Sequence, residues 1–284
     1  MALVNTLDMM KKAQQEKYAI GAFNVENMEM VQAVIEAAEE EKAPVIIQTT
    51  PSTVAYASVS MYREMVRVAA EKASIPVAMH LDHGDSQELC KEAIAAKYTS
   101  VMIDGSKLGF EENVAVTKAV VEATKGTDIC VEAELGTIGG KEDSHEVLDK
   151  DALYTNPQQA KELVERTNVN SLAVAIGTVH GFYKGEPKLD FERLQEIVDI
   201  VDAPLVLHGA SGVPDEAVRR AIDLGVCKVN FATELRVAFT KGVRDVIASD
   251  ESVYDPKKYG AVGREEVKEL VKNKIRVCKS NGKA

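Results

Sequence analysis

Five histidines occur in the 284-residue chain, and three of them stand in similar settings: His83 in HLDHGD, His180 in GTVHG and His208 in LVLHGAS. Each lies at or just beyond the end of an apolar, β-branched run, and each precedes a glycine. Three neutral imidazoles with a fourth position left open suit a catalytic zinc or a similar divalent ion. One strand-end histidine alone is more often a hydrogen-bonded structural group, but three in one setting favour the ligand reading. The other two read differently. His80 shares a strand face with Asp82 by the two-residue period, so it is expected to be a satisfied interior group. His145 falls in a polar stretch and is expected at the surface.

Carboxylates gather in the same places. Asp82 adjoins His83, and the two-residue period sends its side chain to the opposite face of the strand end. Asp104 closes the run SVMI, while Glu132 and Glu134 alternate along ICVEAE and share one face. Two carboxylates directed into a core need a partner, because an unpaired buried charge is costly, and a cation is a suitable one. Small residues form a third group. GASG at Gly209–Gly212 and NFAT at Asn230–Thr233 each precede a helical pattern. Glycine lets backbone N–H groups approach an anion, and Ser211 and Thr233 add hydroxyl donors, which together make a phosphate site.

Only certain folds bring such groups together. Short β-branched runs begin at Ala19, Val45, Val77, Ser100, Ile129, Ser171, Leu205 and Val226, and between them lie longer segments of helical period such as MEMVQAVIEAAEEEK. Alternating β and α units imply parallel strands covered by helices. About eight units in a chain of this size favour a closed (β/α)8 TIM barrel over an open sheet, and the C-terminal rim of such a barrel is where catalytic groups converge. A helix at the N-terminus and another around Gly263–Val277 are left over as additions to this α/β fold. The polar stretch from Gly136 to Pro157 reads as a long loop of the lid type, and no interdomain linker is visible, so residues 1–284 read as a single domain.

Composition narrows the function. The chain carries a net charge of −11, with 45% hydrophobic and 28% charged residues. This is an ordinary globular balance, and its acidity argues against generic affinity for nucleic acid or anionic membranes. Local anion sites built from backbone dipoles remain compatible with it. Cys90, Cys130, Cys227 and Cys278 are far apart with no Cys-x-x-Cys pair, and no apolar run approaches a membrane span. A reduced, cytoplasmic protein is the expectation.

The blocks HLDHG, SVMIDGS, VEAELGTIGG-x-ED, DALYTNP, AVAIGTVHG-x-Y, LVLHGASG and KVNFATE run in order along nearly the whole chain, and together they resemble the class II, metal-dependent ketose-bisphosphate aldolases. The resemblance implies a (β/α)8 barrel that reversibly cleaves fructose or tagatose 1,6-bisphosphate to dihydroxyacetone phosphate and glyceraldehyde 3-phosphate. It implies Zn2+ on His83, His180 and His208, with Asp104 and Glu134 at a second divalent site. Asp82 matches the acid/base at the substrate C4 hydroxyl, and Glu142, in GGKED, matches the group that moves the C3 proton. Gly181, Lys184, Gly209, Ala210, Ser211, Asn230, Phe231, Ala232 and Thr233 match contacts to dihydroxyacetone phosphate. Carbonyls near Val179, Gly181 and Gly209 match a monovalent cation site for Na+ or K+. Arg264 matches a group that reaches the second phosphate, and the family implies a homo-oligomer, dimer or tetramer.

Ala232 stands where fructose-specific relatives tend to carry Asp or Asn, which leans the expected substrate slightly towards tagatose 1,6-bisphosphate. Three other readings compete. Lys228 in VCKVN suits a Schiff-base aldolase, a metal-dependent sugar-phosphate epimerase can use the same barrel, and a non-catalytic subunit can stabilise a partner aldolase.

Overall fold

The computed structural model describes residues 3–142, 145–147, 154–183, 185 and 187–284. Its strands are β1 (Ile20–Asn24), β2 (Val45–Thr49), β3 (Val77–Gly84), β4 (Ser100–Ile103), β5 (Cys130–Leu135), β6 (Gly139–Glu142), β7 (His145–Val147), β8 (Ser171–Val174), β9 (Val179–His180), β10 (Leu205–Leu207) and β11 (Val226–Phe231). Its helices begin with α1 (Thr6–Glu16), α2 (Met28–Glu41), α3 (Pro51–Ala57), α4 (Val59–Glu71), α5 (Gln87–Ala95) and α6 (Phe110–Ala123). They continue with α7 (Pro157–Thr167), α8 (Phe191–Val198), α9 (Asp215–Leu224), α10 (Thr233–Ser249) and α11 (Pro256–Val277).

Eight of the strands close into a parallel barrel in the order β1-β11-β10-β8-β5-β4-β3-β2. Each of the eight apolar runs read from the sequence supplies one of them. The barrel closes where Ile20 and Ala22 of β1 pair with Lys228 and Asn230 of β11. Both faces of a parallel barrel are buried, so its strands read as nearly continuous apolar runs. Outward residues such as Phe23, Ile47, Leu81, Val101, Val131 and Phe231 pack under the helices.

The inside of the barrel is divided. Ile20, Ala22, Ile46, Ala78, Ala173, Val206 and Cys227 form a second apolar cluster, which Met9, Met10 and Ala13 of α1 close like a plug. Towards the C-terminal ends of the strands the buried lining turns polar, with Asn24, Gln48, His80, Asp82, Glu132, Glu134, His208, Lys228 and Asn230. Such a polar layer costs stability wherever its members lack partners, so it is built for a site rather than for stability.

Two local features differ from the expected pattern. Part of the stretch between β5 and α7 is not a plain loop: β6 pairs antiparallel with β7 and parallel with β9, making a small sheet beside the barrel mouth. Gly140 makes that approach possible, since it holds φ +93° and a Cβ there would lie 2.1 Å from the His180 carbonyl oxygen. The second feature is the C-terminal helix, which begins at Pro256 rather than near Gly263. Asp255 caps it by accepting from the Lys257 N–H, with proline in the first turn, where its missing N–H costs nothing. The helix packs on α10 and α2. No helix among the described residues is long and apolar enough to cross a membrane.

Candidate active site

The three histidines expected as ligands meet at the C-terminal rim. The ring centroids of His83 and His208 are 4.7 Å apart, and those of His83 and His180 are 4.9 Å apart. One nitrogen from each of the three lies within 4.8 Å of the others. Each strand end aims its ring differently. His83 holds φ +48°, an uncommon conformation for a residue with a Cβ, and the pairing of β3 with β4 shifts register at the same point. His208 follows β10 directly, and the following Gly209 turns the chain at φ +65°, where a Cβ would lie 2.6 Å from the Val179 carbonyl oxygen. The Tyr183 hydroxyl ties the two loops by accepting from the Val179 N–H and donating to the Gly209 carbonyl, at 2.9 and 2.8 Å.

A carboxylate stands behind two of the rings. Asp104 Oδ2 lies 3.0 Å from His83 Nδ1, and Glu132 Oε1 lies 2.9 Å from His208 Nε2. Each carboxylate claims an N–H from its ring, which leaves His83 Nε2 and His208 Nδ1 facing each other at 3.0 Å. Two imidazole lone pairs at that distance repel unless a proton or cation sits between them. Burial pushes His208 down from its ordinary value and so favours the neutral ring that a metal requires. The donor set therefore fits a divalent cation held by His83, His180 and His208.

Asp82 does not point away from this cleft. The kink at His83 breaks the simple alternation, and both side chains are buried at the mouth. Asn24 Nδ2 donates to Asp82 Oδ2 at 2.8 Å, and Asn230 Nδ2 donates to Oδ1 at 3.0 Å. Gln48 Nε2 donates to Asn24 Oδ1 at 2.8 Å and so fixes which way that amide faces. Asp82 is close enough that its charge pushes the His208 ring towards protonation.

A second group of potential metal ligands is made by His83, Asp104 and Glu134. Burial works against charge on Asp104, but the His83 hydrogen bond and the Ser106 N–H outweigh it and hold the carboxyl well below the ordinary range. Glu134 is the reverse case: burial, and then the nearby Asp104 charge, raise it well above the ordinary value. Glu134 Oε2 is buried with no hydrogen-bond partner among the described residues. Glu132 needs no metal, since Lys228 Nζ is its cation at 2.9 Å. The cation expected for the inward carboxylates is thus a lysine for one of them.

Comparison with known proteins adds a family to this geometry. Residues 4–283 match the family described as fructose-bisphosphate aldolase class-II. The chain belongs to that family. It is accordingly an aldolase, a lyase, of a class that generally depends on a metal. A fructose-bisphosphate aldolase from Geobacillus stearothermophilus is 47% identical over 100% of this chain and 99% of its own length. The crystal structure of the YdjI aldolase from Escherichia coli K12 is 39% identical, with a TM-score of 0.87 over 99% of both chains. The fructose-bisphosphate aldolase of Campylobacter jejuni, 23% identical over 100% of this chain and 97% of its own, shares the fold at a TM-score of 0.86.

The remaining residues expected at the aldolase site fall into four sets. Gly209, Ala210 and Ser211 lie beside Asn230, Phe231, Ala232 and Thr233, since the Ala232 N–H donates to Ser211 Oγ at 3.3 Å. Helix α10 starts there with no side-chain cap on its first turn, leaving backbone N–H groups for an anion. Gly181, at φ +84°, follows His180 directly. Lys184 lies outside the described residues, as does the side chain of Glu142, although β6, which ends at Glu142, pairs with the His180 strand. His145 begins β7, and its side chain also lies outside them. Arg264 sits on α11 with its guanidinium 2.9 Å from Gln32 and 3.5 Å from Glu36, both on α2.

His80 is fully buried, as expected, and is pushed down to about 3 by burial and by the Lys228 charge. Its Nδ1 meets Ser100 Oγ at 2.8 Å, but it is not the satisfied group expected, since Nε2 has no hydrogen-bond partner among the described residues. Asn24 and Gln48 were not singled out from the sequence. The only signal for them was a polar residue at or next to the end of each of two otherwise apolar strands.

Proposed function

We propose that this chain reversibly cleaves fructose 1,6-bisphosphate to dihydroxyacetone phosphate and glyceraldehyde 3-phosphate, with Zn2+ on His83, His180 and His208. The observation that carries this reading is the facing pair of imidazole nitrogens, each ring braced from behind by a carboxylate, with Asp82 beside them. A zinc ion bound there supplies Lewis-acid stabilisation of the negative charge that develops on the ketone oxygen as the C3–C4 bond breaks.

The protein groups do the rest. Asp82 accepts the C4 hydroxyl proton in cleavage and returns it in condensation, and its two amide partners hold the carboxylate in one orientation for that transfer. Glu142 moves the proton at C3 of the three-carbon ketone. Gly181, Lys184, Gly209–Ser211 and Asn230–Thr233 contact dihydroxyacetone phosphate, with backbone N–H groups, hydroxyls and the start of α10 at its phosphate. Asp104 and Glu134, with His83, form a second divalent position. The carbonyls of Val179, Gly181 and Gly209 suit Na+ or K+. The whole chain acts as one barrel unit, within a homo-oligomer in which Arg264 reaches a neighbour's substrate.

Removing the metal tests the reading. Treatment with a strong chelator is expected to lower cleavage by at least about two orders of magnitude, because the ion supplies several kcal/mol of charge stabilisation. Added zinc should restore it. Full activity in the chelated protein, with borohydride trapping of substrate on a lysine, would replace this reading with the Schiff-base one. Recovery of an epimer rather than two trioses would favour an epimerase, and no turnover at all would favour the non-catalytic subunit.

Ala232, buried where fructose-specific relatives tend to carry Asp or Asn, supports tagatose 1,6-bisphosphate as the second reading. The two sugars differ only at C4, so kcat/KM for each decides. The relative named for fructose bisphosphate supports that substrate for this chain, whose kcat/KM is expected to favour it by about tenfold or more. An inverted ratio selects tagatose.

A further inference from the structure

Glu132 and Lys228 are fully buried and take no part in the chemistry proposed above. Lys228 Nζ lies 2.9 and 3.1 Å from the two oxygens of Glu132, and the Ser171 hydroxyl lies 3.4 Å from Oε2. An irregularity in β11 turns this lysine inward. Leu205 pairs with Val226 but Val206 pairs with Lys228, so Cys227 is an extra residue, and both it and Lys228 face the barrel interior. A buried ion pair of this kind adds little stability over apolar residues of the same volume, so its place in the floor of the site calls for another role. Its reach provides one. Glu132 Oε1, held by Lys228 from below, is 2.9 Å from His208 Nε2.

We propose that Lys228 is a positioning residue for the metal centre: its ammonium fixes the Glu132 carboxylate so that Glu132 accepts the Nε2–H of His208, which keeps the His208 Nδ1 lone pair aimed into the three-histidine site. The inference rests on His208 being a metal ligand. Glu132 sets the tautomer of the ring, and Lys228 determines what Glu132 can offer it. Lys228 has only donors, so whatever stands at position 132 must turn an oxygen towards it.

That asymmetry gives a test that a structural role does not share. In Glu132→Gln, Lys228 takes the amide oxygen and turns the NH2 group on to His208 Nε2. The ring then carries its proton on Nδ1 and loses its lone pair for the metal. Zinc affinity, measured on metal-depleted full-length protein by competition with a chromophoric chelator, is expected to fall about 10–100-fold in Glu132→Gln. Adding Lys228→Met frees the amide to rotate, so the double variant is expected to bind zinc more tightly than Glu132→Gln alone. Nitrogen-15 spectra of the five histidines should show His208 as Nε2–H in the wild-type protein and Nδ1–H in Glu132→Gln. If the double variant does not fold, the spectra of the wild type and the single variant decide. Additive losses of affinity, or a His208 tautomer that Glu132→Gln leaves unchanged, would overturn the assignment. Wild-type protein that binds no zinc would remove the metal reading itself, and this inference with it.

Discussion

Asp82→Ala is expected to lower kcat for ketose-bisphosphate cleavage by about 10²–10⁴-fold, the usual contribution of a positioned acid/base, while zinc content per chain stays at the wild-type level. The carboxylate is 1% exposed, and both of its oxygens are taken by amide donors from β1 and β11. It is not among the grouped metal ligands, so its removal should leave the three-histidine site intact. Alanine leaves Asn24 and Asn230 each with an unsatisfied donor, at about 1–3 kcal/mol apiece, so some loss of thermal stability should accompany the loss of turnover. Alanine is still the better probe. Asparagine would set a third amide against two donors and disturb the neighbours as well. KM should change less than kcat, since Asn230 is shared with Asp82 but the Gly209–Ser211 contacts are not. The measurement is steady-state cleavage alongside metal content by elemental analysis, and turnover within about tenfold of wild type would remove Asp82 from the proton transfer.

What the sequence disclosed, and what it hid, follows from the range of each interaction. The barrel was legible because both faces of every strand are buried and mostly apolar, which leaves a dense run of β-branched residues such as VIIQ or SLAVAI whatever the contacts prove to be. The histidines were legible because each stands alone at a strand end before a glycine. The pairing of Glu132 with Lys228 was hidden by 96 residues of separation and by the extra residue at Cys227, which upsets any count of inward positions. A backbone torsion misled in the same way at the strand end before the rim. Period two sends Asp82 and His83 to opposite faces, and the positive φ at His83 cancels that expectation. The sheet of β6, β7 and β9 was invisible for another reason. GGKE and HEV carry no apolar alternation, and what holds β6 against β9 is the absence of a side chain at Gly140.

His208→Ala tests the centre from the ligand side, and its effect on zinc affinity should exceed the roughly 10–100-fold loss typical of an outer-shell partner. The ring is fully buried, so a destabilising cavity also forms where it stood. The fold should survive this loss because of the group behind the ring. Glu132 would lose its hydrogen bond to Nε2 but keep Lys228 Nζ at 2.9 Å, so no unpaired charge is left in the barrel. Two consequences separate ligand loss from general damage. Thermal unfolding of metal-depleted protein should show only the penalty of the cavity and the lost Glu132 hydrogen bond, while the extra stabilisation that zinc confers on the wild type should shrink with the lost affinity. Cleavage should fall in proportion to bound zinc and recover in part at high zinc concentration. Full zinc occupancy in the alanine variant, at a concentration that just saturates the wild type, would show that position 208 is not a ligand and that the metal, if bound, sits elsewhere on the rim.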